Sequence, residues 1–510
     1  MRTRRSRSID RRISTLVATF VASWLLAACG GLPGARPVAL GAIDDVDAFV
    51  GQRVEIAVPV DDDAPESVAL SWTCGGTPLL DDAIVSWLGS GPSRTLRIDL
   101  SPYVVGSETL TVHAVDADAN EADTTFALRV ARPFGSTPEM VTSPDPATSD
   151  HFGESVAVSG SRLLIGAPEA DPTLPTDTGA AYAFLVSEDD VVVSDQLVAS
   201  DGAGGDAFGF WVALDGATAV VGAPNADQTR EDQGAAYAFR DVGSAWEPQG
   251  QLTAPAAAAY GHVGASVAVH GDLAVVGAPL YDGSQSDQGA AYVFTRSGDF
   301  WSYATRLDPP TPIPVGQFGI SVAAGPGRIV VGASGMDRVF VFEGSGSTWS
   351  TPVELTASDG RPGDGFGVRV ALDDDRLVVG AAFVDLGGTD RGAAYLFDRG
   401  DAGWSEVAKL SIGSPQSLDF FGISVDVDGD TVVVGAQGRA DPAVSAGAAY
   451  VFARCHDGAW YRVTTLVEPT PSALAFFGRS VALDGDLLVV GAPWSDGDHT
   501  DQGRAYLFRR

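Results

Sequence analysis

Phe208-Gly209-Phe210-Trp211-Val212-Ala213-Leu214-Asp215-Gly216 opens a unit that continues through Thr218-Ala219-Val220-Val221-Gly222-Ala223-Pro224 and Gly234-Ala235-Ala236-Tyr237-Ala238-Phe239. Trp211–Leu214 reads as a first strand. Asp215-Gly216 is a two-residue turn of the kind that needs positive φ. Thr218–Ala223 is a near-continuous apolar run, suited to a strand buried on both faces. A polar loop leads to the third strand, Gly234–Phe239, and Trp246–Leu252 supplies a fourth.

The unit recurs along the chain. The glycine of Phe-Gly, or of its variant, stands at 153, 209, 264, 319, 367, 422 and 478. Thirteen positions later comes the glycine of a Gly-Ala pair, at 166, 222, 277, 332, 380, 435 and 491. Successive copies are 56, 55, 55, 48, 55 and 56 residues apart, and the short period falls in the loop between Gly332 and Phe340-Val341-Phe342. A four-stranded antiparallel sheet repeated at this period is a propeller blade. The fold expected is all-β: a seven-bladed β-propeller over 137–510, preceded by a small immunoglobulin-like or PKD-like β-sandwich over 38–131. The sandwich reading rests on short alternating strands such as Val54–Val58, Thr109–Val115 and Thr125–Val130. The last copy lacks a fourth strand after Phe508. A leucine lies twelve residues ahead of six of the repeat glycines, and Val141 holds that place ahead of Gly153. The segment Glu139-Met140-Val141-Thr142 is therefore expected to close the ring and remove two sheet edges.

Phe421-Gly422-Ile423-Ser424-Val425, Leu488-Val489-Val490-Gly491-Ala492-Pro493 and Asp287-Gln288-Gly289-Ala290-Ala291-Tyr292-Val293-Phe294 resemble FG-GAP repeats. Such repeats build the integrin alpha-chain propeller and occur in many bacterial surface proteins. The resemblance implies a propeller used for extracellular binding. Integrin-like repeats often hold calcium in an Asp-x-Asp-x-Asp-Gly loop between strands one and two. Here that connection is a two-residue turn, too short to wrap a cation with six to eight oxygens. The nearest remnant, Asp426, Asp428 and Asp430, reads as turn acids, and no metal or cofactor is expected.

The amino terminus gives an address. Six arginines within residues 2–12 precede an apolar run, Ile13–Ala28, that is short for a membrane span, and Leu26-Ala27-Ala28-Cys29 follows. This pattern reads as a secretory signal. Its end resembles the bacterial lipobox, which implies acylation of Cys29 and an outer-membrane or cell-surface location with the lipid as the only membrane contact. Residues 30–37 then form a tether. Cys74 and Cys455 fall in different expected domains, which argues against a disulfide framework.

Composition narrows the function. The 510 residues carry a net charge of −34, and the one lysine is Lys409. A nucleic-acid role is excluded, because phosphate binding needs a basic surface. None of the six histidines falls in a tight ligand spacing, and no Gly-x-Ser-x-Gly elbow occurs in the repeats. Ser155, Ser321 and Ser424 read as strand serines. The chain is expected to bind rather than catalyse. Its expected partner is an extracellular protein or glycan; the alternatives are a structural subunit of an envelope assembly or a propeller enzyme.

Strand direction puts the loops between strands two and three, and the links from strand four to the next blade, on one face. These segments are acidic: Asp227, Glu231 and Asp232; Asp282 and Asp287; Asp496, Asp498 and Asp501; and, in the links, Asp201, Asp206, Asp359 and Asp364. A rim of one charge sign concentrates cations or basic partners, with an affinity that falls in salt. The shortened fourth loop is expected to leave a notch beside Met336 and Arg338.

Overall fold

A computed structural model describes residues 38–510 except 44–45, 50–52, 63, 75–83, 100–105, 132–133, 136, 172–176, 189, 256–258, 386–388, 441–442 and 455–458. The expected signal segment, Cys29, the expected tether and Cys455 lie outside the described residues. The chain divides into two compact units, residues through Arg132 with Arg454–Val463, and Pro133–Ala453 with Thr464–Arg510.

The first unit holds two four-stranded sheets. One orders Ala39–Leu40, Arg53–Asp61, Ser93–Asp99 and Ile84–Leu88; the other orders Val46–Phe49, Glu121–Ala131, Gly106–Val115 and Ala69–Cys74. Alternation decides which face is buried: Val54, Ile56 and Val58 point inward while Glu55 and Ala57 are exposed. They share one core with Leu96 and Ile98 of their own sheet and with Leu110, Val112, Phe126 and Leu128 of the other.

The second unit is a propeller, and the all-β reading holds. Seven antiparallel sheets follow one another among its described residues. The second runs Trp211–Asp215, Thr218–Ala223, Ala235–Asp241 and Trp246–Gln251, with Asp215 opposite Thr218 across the tight turn. Its second strand is buried at every position. The fourth sheet has its outer strand broken into Thr348–Trp349 and Val353–Leu355. Pro352 stands in the break, where it has no N–H for a ladder bond. The seventh consists of Ser480–Asp484, Leu487–Ala492, Arg504–Arg509 and the distant strand Glu139–Val141. Val141 lies opposite Ala505 and Met140 opposite Tyr506. Arg509 adds an ion pair to Glu139 at 2.6 Å, and the Gly135 N–H reaches the Arg509 carbonyl at 2.8 Å.

The two repeated glycines have one cause, the closeness of neighbouring blades. A Cβ on Gly166 would be driven into the carbonyl oxygen of Gly209 in the next blade. Gly209 itself has φ +94°, and a Cβ there would strike the Ala180 carbonyl. The same approach of Gly491 to the Gly153 carbonyl joins the last blade to the first. Aromatic side chains fill the wider part of each wedge. Phe208 lies 5.6 Å from Tyr237 and 6.0 Å from Phe239, and Phe421 repeats the arrangement with Tyr450 and Phe452. Such pairs contribute about 0.5–1.5 kcal/mol each beyond their buried area. The strand serines act here too: Ser155, Ser266, Ser424 and Ser480 each donate Oγ–H to the carbonyl of the repeat glycine in the next blade, at 2.8–2.9 Å.

Candidate ligand face and central channel

The loops and links share a face because they are hydrogen-bonded to each other. Tyr260 N–H reaches the Glu231 carbonyl at 2.9 Å, His262 N–H reaches Asp232 at 3.3 Å and Val263 N–H reaches Gln233 at 3.0 Å. Leu474, Phe476 and Phe477 bond in the same way to Val444, Ser445 and Ala446. At the shortened fourth connection no long loop is present to supply carbonyls. The Asp337 carboxylate takes their place, accepting from the N–H groups of Gly363 and Gly365 at 2.7 Å and of Phe366 at 3.2 Å. Beside it Met336 packs on the blade core and Arg338 pairs with Glu354.

The structure gathers the predicted acids on this face and gives most of them a partner within the fold. Asp227, Asp282 and Asp496 each accept the backbone N–H five residues on, from Asp232, Asp287 and Asp501, at 2.8–3.0 Å. Those three recipients have left-handed backbones, φ 45–51°. Asp359 takes the Tyr395 hydroxyl at 2.9 Å and Lys409 at 2.7 Å, and the bond from Lys409 holds its carboxyl below the usual range. Asp201 takes the Tyr237 hydroxyl at 2.9 Å. Asp364 and Asp206 are buried, each accepting a backbone N–H three residues back at 2.7 Å, which places them inside the links. Glu231 accepts from the Tyr260 hydroxyl, and Asp498 is exposed.

Sequence reasoning missed the apolar part of this face. Four residues before the repeat glycine, the backbone is left-handed in every link. Glycine or serine fills that position in three blades; Tyr260, Val315, Leu418 and Leu474 fill it in the others, with φ 56–66°. For a β-branched residue such as Val315 this is a true outlier. All four are about half exposed, 50% for Tyr260, Leu418 and Leu474 and 53% for Val315. Trp494 adds an exposed ring that stacks on His151 at 5.1 Å and meets Phe476 edge-on at 5.3 Å. The available signal was a large side chain recurring at one fixed place in the links, four positions before the repeat glycine.

First strands of all seven sheets line a central channel of about 410 Å³. Its far end, at the tight turns, is acidic. Around the ring, Asp215, Asp373 and Asp428 accept the turn N–H of Gly271, Gly429 and Gly485 in the following blade at 2.6–2.7 Å, and Asp484 passes the same bond to Gly160 across the closure. Midway stands Asp426, where the other blades carry alanine. It accepts N–H bonds from Leu483 at 2.7 Å and Val427 at 2.9 Å, and burial raises its pKa to about 7. Asp430 pairs with Arg376 at 2.8 Å. Each acid of the calcium-loop remnant is thus bound within the fold. At the loop-face mouth the channel carries Glu154, Trp211, Arg369 and Arg479.

The sequence pattern of the FG-GAP repeat matches residues 139–184, 191–239, 246–294, 349–397, 404–452 and 460–508. Each match begins on an outer strand and ends on the third strand of the next sheet. The unmatched stretch contains the sheet with the short connection, where Arg338-Val339-Phe340-Val341-Phe342 stands in place of Gly-Ala-Ala-Tyr. A search of curated proteins finds no match. Among solved structures, similarity is found to a putative 6-phosphogluconolactonase from Bacteroides fragilis. It has 13% identity over 68% of this chain and 90% of that one, with a TM-score of 0.43. The titin M3 domain gives 20% identity over 19% of this chain and 98% of that chain, with a TM-score of 0.16. The repeat matches span more than half of the sequence, and their strands are those of the propeller sheets: the chain belongs to the FG-GAP repeat family.

Proposed function

We propose that the protein is a lipid-anchored envelope protein, held by an acylated Cys29, whose propeller binds a protein or glycan partner through its loop face. One observation carries the reading. Tyr260, Val315, Leu418 and Leu474 stand half exposed on that face, each in a backbone conformation that costs of the order of 1–3 kcal/mol for a residue with a side chain. Strain kept at exposed apolar positions has no use in the core. It has a use if those side chains make contact with something else. The acids beside them set polarity around the contact, and the first unit serves as an immunoglobulin-like spacer. No chemistry is assigned to the propeller.

The test is site-specific photocrosslinking in the native envelope. A photoreactive residue at Leu474, on the loop face, is expected to give a discrete adduct that is lost when Tyr260, Val315 and Leu418 are changed to serine. The same residue at Asp486, beside the tight turns, is expected to give none. Equal adducts from both faces overturn the face assignment. Fatty-acid labelling that persists in Cys29→Ser overturns the anchor.

A further inference from the structure

Four departures from the repeat meet at one end of the channel. Two positions after the repeat glycine, five blades carry serine, and the exceptions are Trp211 and Arg369. One position after it, five blades carry an apolar residue, and the exceptions are Glu154 and Arg479. The exceptions come from blades one, two, five and seven, yet they form one cluster. The Arg369 guanidinium lies 4.4 Å from the centre of the Trp211 ring. Arg479 holds Glu154 through two nitrogens at 2.9 and 2.6 Å.

Arg369 is the odd member. It makes one hydrogen bond, to the Val368 carbonyl at 2.9 Å, and no ion pair with a described residue. A guanidinium has five N–H donors in a planar fork, so most of its capacity faces the channel unused. Burial, and then the like charge of Arg479, pull its pKa down to about 9 against the opposing charge of Glu154, which leaves it charged at neutral pH. The half-buried guanidinium has no direct ion pair, since Glu154 is taken up by Arg479, and an anion entering the channel would supply one.

We propose that this mouth is a binding site for a small organic acid, whose carboxylate is held by the free edge of Arg369 with Arg479 beside it. A carboxylate matches the guanidinium fork in geometry. The channel volume suits a compact ligand rather than a polymer. A single negative charge also suits a site that already contains Glu154, in a chain of net charge −34. The acidic ring at the opposite end makes the loop face the way in. The site is separate from the apolar crest, so either can fail alone.

The experiment is calorimetric titration of the full chain with acetate, lactate and glucuronate, with glucose and inorganic phosphate for comparison. At least one of the acids is expected to bind, and to bind at least about tenfold more weakly to Arg369→Gln while Arg240→Gln, on the outer surface, is unchanged. A second measurement needs no variant: phenylglyoxal modification of Arg369, read by peptide mass spectrometry, is expected to slow with the bound acid and not with glucose. No binding by any of the three acids, equal binding to Arg369→Gln, or absence of protection overturns the proposal. Tighter binding of phosphate than of every acid overturns the carboxylate assignment.

Discussion

The two ends of the propeller are made from the same seven repeats and treat their polar groups in opposite ways. At the turn end, side chains serve the ring itself. Asp215, Asp373, Asp428 and Asp484 each cap a glycine of the neighbouring blade, and the connections are two residues long. At the loop end, backbone carbonyls do the joining, which leaves side chains such as Tyr260 and Leu474 facing outward. The contrast teaches where such a repeat can vary. A change at the turn end breaks a bond between blades, whereas a change at the loop end alters what the face presents. The fourth connection is the instructive exception, because there a side chain, Asp337, replaces the carbonyls of a lost loop.

The contrast presupposes a closed ring, and opening it should have the largest effect. A chain beginning at Asp150 is expected to melt about 10 °C or more below one beginning at Ala131, because the Arg504–Arg509 edge of the seventh sheet is then bare. Equal melting temperatures would remove the basis for treating the blades as a ring.

A pair of glycine substitutions compares the two ends directly. Gly209→Ala places a methyl group against the Ala180 carbonyl and should destabilise by roughly 3–5 kcal/mol in denaturant titration. Gly216→Ala, in a tight turn with φ +56° and open space around it, should cost only about 1 kcal/mol. Similar losses at both positions would show that blade spacing is not the constraint.

Between the ends, Asp426 offers a pH signature. Burial first, then the charges of Asp428 and Asp373, raise its pKa to about 7 from an ordinary value of 3.8. The folded state therefore holds this proton more tightly than the unfolded state. The contribution to stability is greatest below about pH 4 and is lost as pH rises to about 7. Asp426→Asn should flatten that part of the stability profile by about 2 kcal/mol, read from melting curves at pH 5 and pH 8. An unchanged slope would mean that the group ionises in the fold as it does in water.

The smallest effect has the opposite sign. Val315→Gly removes a β-branched side chain from a left-handed backbone and should stabilise the propeller by up to about 1 kcal/mol while weakening partner capture by the loop face. Loss of stability would indicate that the side chain is part of the packing.

Much of this architecture was legible in the sequence because its cause is periodic. Gly166 and Gly209 recur since every blade meets its neighbour at the same distance, and Val220-Val221 recur since every second strand is buried. The site was less legible for the converse reason. Asp227 and Asp364 look like free acids in a string of letters, but one accepts the Asp232 N–H and the other is buried, accepting the Arg361 N–H. Trp211 and Arg369 are far apart in the chain, and only the curvature of the ring brings them together. Departures from the repeat were visible at each position; their convergence was not.

The pairing of Glu139–Val141 with the strand Arg504–Arg509 also has a consequence in time. Glu139 and Arg509 are separated by 370 positions, and all the other blades are synthesised between them. No amount of earlier folding can finish the ring until that later strand has left the ribosome. Contacts this distant in sequence form slowly. A polypeptide cut short ahead of it is left with an open circle, exposed sheet edges and little resistance to proteases. The clasp therefore makes a closed ring conditional on translation through the strand Arg504–Arg509.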